Sequence, residues 1–202
     1  MKILALDISC AAGSVAVADG GSVTTVRRFE APRGRGAEVF SVLEELRPAW
    51  NGLDRIAVGV GPGSYNGLRA ACALAASFRN ALGIEAVAAP SPCLLDAKES
   101  HYFVAGDARG GMVYVAEVRD RRLLHEIRLV DRAEFPGLAA GGQQIPFYRV
   151  GTIEGADALA EGRPDAAVLA LLAPSLQPLE RVEPEPIYLK PPRITTPRAG
   201  RT

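Results

Sequence analysis

The chain has 202 residues, 48% of them apolar, and its 23 Lys and Arg balance 23 Asp and Glu to a formal net charge of zero. That length predicts one domain or two modest lobes with a real core, and the composition argues against a disordered chain and against a broad basic face for nucleic acid. The opening apolar run is cut at Asp7, no run nears the roughly 20 residues of a membrane span, and Cys10, Cys72 and Cys93 form no Cys-x-x-Cys pair. The expectation is a cytoplasmic protein without membrane contact, disulfide framework or structural zinc.

Residues 3–6 predict a strand ending at Asp7, residues 9–13 a small-residue loop and residues 14–18 a second strand. Asp19-Gly20-Gly21 is hairpin chemistry leading to a third strand over 22–29. Val39, Val42, Leu43 and Leu46 fall at helical spacing over 37–47, stopped by Pro48. Residues 54–60 predict a fourth strand, which enters Gly61-Pro62-Gly63-Ser64-Tyr65-Asn66-Gly67-Leu68-Arg69. Asn66 is the expected N-cap of a helix from Gly67 to Leu82 that is apolar nearly all round and therefore buried on more than one side. A fifth strand over 84–88 ends at Pro90-Ser91-Pro92, the best candidate boundary. Beyond it the pattern restarts more weakly, with strands over 102–107, 112–118 and 123–130, a strand end over 148–151 and a helical run over 165–172. The Pro- and Arg-rich tail is expected to be extended.

Asp7 at a strand end before a Gly/Ser loop fits two roles, capping its own turn or positioning a metal or water beside phosphate-binding N–H groups. The Gly61 to Arg69 loop likewise reads either as an ordinary strand-to-helix turn or as an anion site at a helix N-terminus. It matches neither a P-loop nor a dinucleotide fingerprint. Asp7, Ser9, Ser14, Gly61, Gly63, Ser64 and Asn66 are the candidate nucleotide or phosphate contacts. Asp107-Ala108-Arg109 is a salt-bridged corner or a ligand contact. His101 and His125 lie apart in sequence with no metal motif around them, and Ser64 lacks a nucleophile-elbow context, so no metal ligand and no catalytic residue is assigned.

The string Gly61 to Arg69 resembles the Gly-Pro-Gly-Ser-Phe-Thr-Gly-Leu/Val-Arg signature of the TsaB (YeaZ) family of bacterial tRNA threonylcarbamoyladenosine biosynthesis proteins. Residues 1–7 and 14–17 resemble that family's opening strands, Asp107-Ala108-Arg109 with Val113-Tyr114 its Asp-Ala-Arg…Val-Tyr segment, and Pro186-Ile187-Tyr188-Leu189 its Pro-x-Tyr-Leu-Arg. The resemblance implies an α/β, actin-like (ASKHA, RNase H-like) fold of two lobes, each a mixed β-sheet flanked by helices. It divides the chain into an N-terminal lobe (1–90), a smaller C-terminal lobe (91–190) and an extended tail (191–202).

It also implies a non-catalytic subunit that binds and supports a TsaD-like catalytic subunit, with a TsaE-like ATPase, in threonylcarbamoylation of adenosine 37 of ANN-decoding tRNAs. The tRNA is then met indirectly through the complex, ATP and Mg are handled by the partners, and the chain alone forms a homodimer. Its helical interface is expected at Val39, Leu43, Leu46, Leu68, Ala71, Cys72, Ala75 and Phe78. The alternative is an actin-like phosphotransferase or ATPase binding a nucleotide between the lobes. The chain departs from the family pattern at Ile8-Ser9-Cys10 (usually Thr-Ser-Thr), Gly36-Ala37-Glu38 (usually His-Ser-Glu) and Asn66 (usually Thr), which removes hydroxyl donors from the first loop.

Overall fold

Alternation along the first strand sets the architecture. In the computed structural model, which describes residues 1–30, 37–140, 144–181 and 183–190, β1 (Lys2–Asp7) is buried on both faces. Successive side chains point to opposite sides of a pleated strand. Leu4 and Leu6 therefore enter one apolar cluster with Val15, Val17, Ile56 and Val58, while Ile3 and Ala5 enter another with Ala16, Ala18, Ala57 and Val87. A strand buried twice must be central.

β1 lies in the middle of a sheet ordered β3-β2-β1-β4-β5, with β2 (Ala12–Asp19), β3 (Ser22–Glu30), β4 (Arg55–Gly59) and β5 (Glu85–Ala89). The β1–β2 and β2–β3 pairs are antiparallel; β4 runs parallel to β1 and β5 to β4. The parallel crossovers are supplied by α1 (Ala37–Glu45) and α2 (Tyr65–Leu82), whose inward residues join the first cluster.

The second sheet repeats this plan. Its strands are β6 (His101–Asp107), β7 (Met112–Arg119), β8 (Arg122–Leu123), β9 (Arg128–Asp131), β10 (Phe147–Val150) and β11 (Ala160–Glu161). β6 pairs antiparallel with β7, β7 with β8 and β9, and β10 runs parallel to β6 and β11 to β10. Two sheets with one connectivity are the duplicated core of the actin-like α/β fold expected from the sequence. The single strand predicted over 123–130 is two short ones, because residues 124–127 leave the sheet between β8 and β9. The helix α3 (Phe135–Ala140) went unread; its six residues, with Pro136 and Gly137 among them, carry no helical period.

After β11 the chain returns to the first lobe. α4 (Ala166–Leu172) covers the face of the first sheet opposite α1 and α2, with Ala166, Leu169 and Ala170 in the second cluster. Leu179 and Ile187 pack against the cluster beneath α1 and α2. The first lobe thus draws core residues from both ends of the chain, which a division at residue 90 does not anticipate. The tail 191–202 lies outside the described residues.

Arg55 ties that return in place. Its side chain, only 8% exposed, donates to the Ala173 carbonyl at 2.7 Å and the Leu176 carbonyl at 3.3 Å, and its Nε donates to Glu85 at 3.1 Å. Arg55→Ala removes a donor from the Ala173 carbonyl, which keeps the Leu176 N–H at 3.2 Å, and from the half-buried Leu176 carbonyl, and is expected to lower the unfolding free energy by about 2 kcal/mol in urea titration. Glu85→Gln, at the half-exposed end of the same pair, should cost less than about 1 kcal/mol.

Candidate functional site

The two candidate loops meet, and they fill each other. Asp7 is fully buried: its Oδ1 accepts from the Ser9 backbone N–H at 2.9 Å and the Ser9 hydroxyl at 2.6 Å, and its Oδ2 accepts from the Ser91 hydroxyl at 2.7 Å. The Ser91 hydroxyl in turn accepts from the Gly61 N–H at 3.0 Å, and the Ser91 N–H donates to the Gly61 carbonyl at 2.9 Å. A closed network therefore links β1, the signature loop and the Pro90-Ser91-Pro92 corner.

Glycine makes this approach possible. A Cβ on Gly59 would sit 1.8 Å from Asp7 Oδ2, one on Gly63 2.0 Å from the Ser9 carbonyl oxygen, and one on Gly67 2.1 Å from the Ile8 carbonyl oxygen. Gly61 adopts φ 93° before a cis Pro62, a backbone region that other residues rarely enter. The Ser64 N–H donates to the Ser9 carbonyl at 2.7 Å. The first loop's own backbone thus occupies the position that the signature loop would offer an anion.

The cap is corrected by two residues. α2 starts at Tyr65, and Ser64 is its N-cap, its hydroxyl accepting from the Gly67 N–H at 3.4 Å; Asn66 lies in the first turn, exposed. Both types cap well, and the chain enters helical geometry two residues sooner than the sequence suggested. Ser14 is also engaged elsewhere: its hydroxyl accepts from the Ala166 N–H at 2.8 Å, beside Asp165, the N-cap of α4, whose carboxylate also receives Arg28.

Burial holds the Asp7 carboxyl above the usual carboxylate range, against the hydrogen bonds from Ser9 and Ser91 that favour its charged form. The folded state then takes up a proton before the unfolded state as pH falls. The unfolding free energy should accordingly fall as pH rises from the ordinary carboxylate value through the raised one. Asp7→Asn is expected to remove that slope, as followed by chemical denaturation at several pH values. An unchanged slope in the variant would assign it to other groups.

Between the lobes lies a cavity of about 630 Å³ whose wall includes Phe29, Tyr148, Arg28, Arg163, Glu30, Asp96, Glu161 and Asp165. Arg28 pairs with Asp165 at 2.5 Å, and Arg163 with Glu161 at 3.1 Å and Glu30 at 3.6 Å. Four carboxylates face two guanidiniums, so the wall repels a polyphosphate. Of the seven candidate phosphate contacts only Ser14 borders this cavity.

The eight expected interface residues are interior. Val39, Leu43, Leu46, Leu68, Ala71, Cys72, Ala75 and Phe78 are each at most 8% exposed, and all but Leu68 belong to the first lobe's apolar cluster. The helices were read correctly, but the stripe identified on them is the one turned to the sheet. Helical geometry puts a different set outward. On α2 these are Asn66, Arg69, Ala73, Ser77 and Asn80, with Ala70 and Leu74 half-buried; on α1 they are Phe40, Ser41, Glu44 and Glu45. Phe40 is 57% exposed. From Ala70 to Phe78, α2 carries no charged residue.

Other residues singled out in the sequence are placed as follows. Asp107 is a salt-bridged corner, although its cation is Arg132 at 2.6 Å, while the Arg109 N–H donates to it at 3.1 Å. The two histidines, distant in sequence, both reach Glu117, His101 at 2.9 Å and His125 at 3.8 Å, because β6–β7 pairing and the segment before β9 bring them to one spot. Among the described residues no group of three or more His, Cys, Asp or Glu is placed to hold a metal ion. Burial pushes Cys10 and Cys93 up to about 12 and Cys72 to about 11, so these unpaired thiols are protonated and poor nucleophiles at neutral pH. Among the described residues no helix is long and apolar enough to cross a membrane.

Two lobes of one topology, a closed signature loop and an uncharged helix face define an actin-like protein. Its fold is shared with YeaZ from Pseudomonas aeruginosa, 24% identical over 93% of this chain and 99% of that one, with a TM-score of 0.71. A second structure, of an uncharacterized protein with similarity to peptidase YeaZ from Pseudomonas aeruginosa, matches at 24% identity over 94% and 99%, with a TM-score of 0.73. Residues 37–131 match the family model described as TsaD: tRNA N6-adenosine threonylcarbamoyltransferase. No curated protein matches the chain. The actin-like fold expected from the TsaB (YeaZ) resemblance is borne out in these structures.

Proposed function

We propose that this chain is a TsaB-like, non-catalytic subunit that binds a TsaD-like catalytic subunit and supports it in threonylcarbamoylation of adenosine 37 of ANN-decoding tRNAs. The observation that carries the reading is the outward face of α2. For two turns it is uncharged, with the small Ala70, Ala73 and Ser77 beside a half-buried Leu74, and α1 on the same side of the sheet exposes Phe40. Small side chains let a second pair of helices approach closely, and a large exposed aromatic supplies an anchor.

The nucleotide-binding alternative finds less support. Asp7 and Ser9 are spent on each other and on Ser91, the signature loop is closed by the first loop's backbone, and the inter-lobe wall carries an excess of carboxylates. The reading assigns ATP and Mg to a TsaE-like ATPase and the catalytic partner, tRNA contact chiefly to the complex, and a homodimer through the same helices when the partner is absent. The setting is cytoplasmic.

The test is capture of the tagged chain from the extract of its native cell, with identification of what accompanies it. Recovery of a TsaD-like protein in stoichiometric amount is expected. Its absence, with the bait folded and in excess, overturns the reading.

A further inference from the structure

The chain passes between the lobes three times, and two of the passages lie side by side. After β5 the first lobe ends at Leu94, whose side chain is in the cluster beneath α4, and the second lobe begins at the next residue, Leu95, in the cluster of the second sheet. On the way back the Gly162 N–H still donates to the Arg149 carbonyl in β10 at 2.8 Å, while the Asp165 N–H already donates to the Leu94 carbonyl at 2.9 Å. Leu95 and Pro164 pair as an antiparallel bridge. Two segments that change lobe at one point, joined to each other, have the build of a hinge.

The third passage is made at Ile187, Tyr188 and Leu189, and its two ends are held unequally. On the first lobe the Leu179 N–H donates to the Ala86 carbonyl at 2.8 Å, Arg79 Nη1 donates to the Leu179 carbonyl at 3.0 Å, and Pro184 is buried. The Ile187 N–H then donates to the Val60 carbonyl at 2.8 Å, with its side chain on the first lobe's cluster, and the Tyr188 ring rests on Tyr65 with centroids 5.2 Å apart. On the second lobe a half-buried Leu189 packs on the cluster that holds Leu95 and Tyr102, and Lys190 Nζ donates to the exposed Arg109 carbonyl at 2.9 Å, in the turn between β6 and β7. A contact that buries little apolar surface opens locally before the elements it joins come apart, so the second-lobe end is the one that releases.

We propose that residues 187–190 are a latch: anchored on the first lobe, they close on the second and fix the angle between the two, and on release the lobes turn about the paired passages at Leu94-Leu95 and Pro164-Asp165. The latch's partners Val60, Tyr65 and Arg109 belong to neither paired passage, so it bears on the angle and not on the hinge itself. The cavity between the lobes takes none of its wall from residues 183–190, and its width follows that angle. The latch is a property of the chain by itself and goes beyond the proposed function.

The test is double electron–electron resonance on the full chain, with spin labels at Asp19→Cys on the first lobe and Arg122→Cys on the second, both exposed positions, and Cys10→Ser to remove the half-buried thiol. With the latch intact a single narrow distance distribution is expected. Leu189→Asp is expected to broaden it about twofold or to add a second peak, and Leu189→Met to leave it narrow. Leu189→Ala with Lys190→Gln loosens the same hold without placing a charge there, and reads the same change where the aspartate variant fails to fold. Circular dichroism and hydrogen exchange of the second sheet establish that each variant is folded. A distribution already broad with the latch intact, or one unchanged in the folded latch variants, overturns the proposal. The measurement needs no partner, so its outcome is independent of the proposed function.

Discussion

Replacing Gly59 by alanine is expected to lower the unfolding free energy by about 3 kcal/mol, a fall of roughly 6–12 °C in the thermal midpoint for a chain of this size. The added methyl would stand 1.8 Å from Asp7 Oδ2, and that carboxyl has nowhere to go: its other oxygen is held by Ser9 and the contested one by Ser91. Relief by rotation would break both contacts inside a core where an unpaired carboxyl is costly. The clash is also specific. In an Asp7→Ala background the nearest remaining atom is the Asp7 Cβ position at 3.1 Å, so most of the Gly59→Ala penalty should vanish there. A double-mutant cycle by scanning calorimetry reads the coupling, and additive losses would show that the Gly59–Asp7 contact is not what limits the site.

The second large effect separates the two faces of α2. Ala71 has no exposed surface, and Ala71→Trp should unfold the first lobe. Ala73 is exposed, so Ala73→Trp should leave the isolated chain within about 0.5 kcal/mol of wild type. If α2 docks the TsaD-like subunit by close helix approach, that variant loses at least about 30-fold in affinity for it, the scale of a central interface residue. Phe40→Asp is expected to act similarly, by placing a charge where an apolar anchor is buried. Circular dichroism on each isolated variant distinguishes loss of docking from loss of fold.

Much of this architecture was legible because the signals were local. The apolar run from Ile3 to Leu6 ending at Asp7, the hairpin at Asp19-Gly20-Gly21 and the periodicity of Val39, Leu43 and Leu46 each state one element without help from the rest of the chain. The helix faces show where such reading stops. On α2 periodicity finds the apolar stripe but does not say whether a partner or the chain's own sheet covers it; the sheet decides, by bringing Leu4, Val58 and Ile56 into one cluster with Ala71, Cys72 and Ala75.

Contacts across the chain were out of reach for the same reason. Ser91 answers Asp7 over 84 positions, Ala166 answers Ser14 over 152, and nothing in the spacing of either pair announces it. The signature loop was read as a strand-to-helix turn or an anion site, with Gly61 and Gly63 as phosphate contacts. The use of Gly59, Gly63 and Gly67 is closeness to the chain's own first loop, which becomes visible only when both loops are present.

The most direct measurement is a titration of the purified TsaD-like subunit with this chain, followed by size-exclusion chromatography with light scattering. A stable complex with the wild-type chain, lost in Ala73→Trp and Phe40→Asp although both remain folded, is the predicted result. A wild-type chain that never co-elutes with that subunit, or a complex indifferent to both variants, would contradict the account.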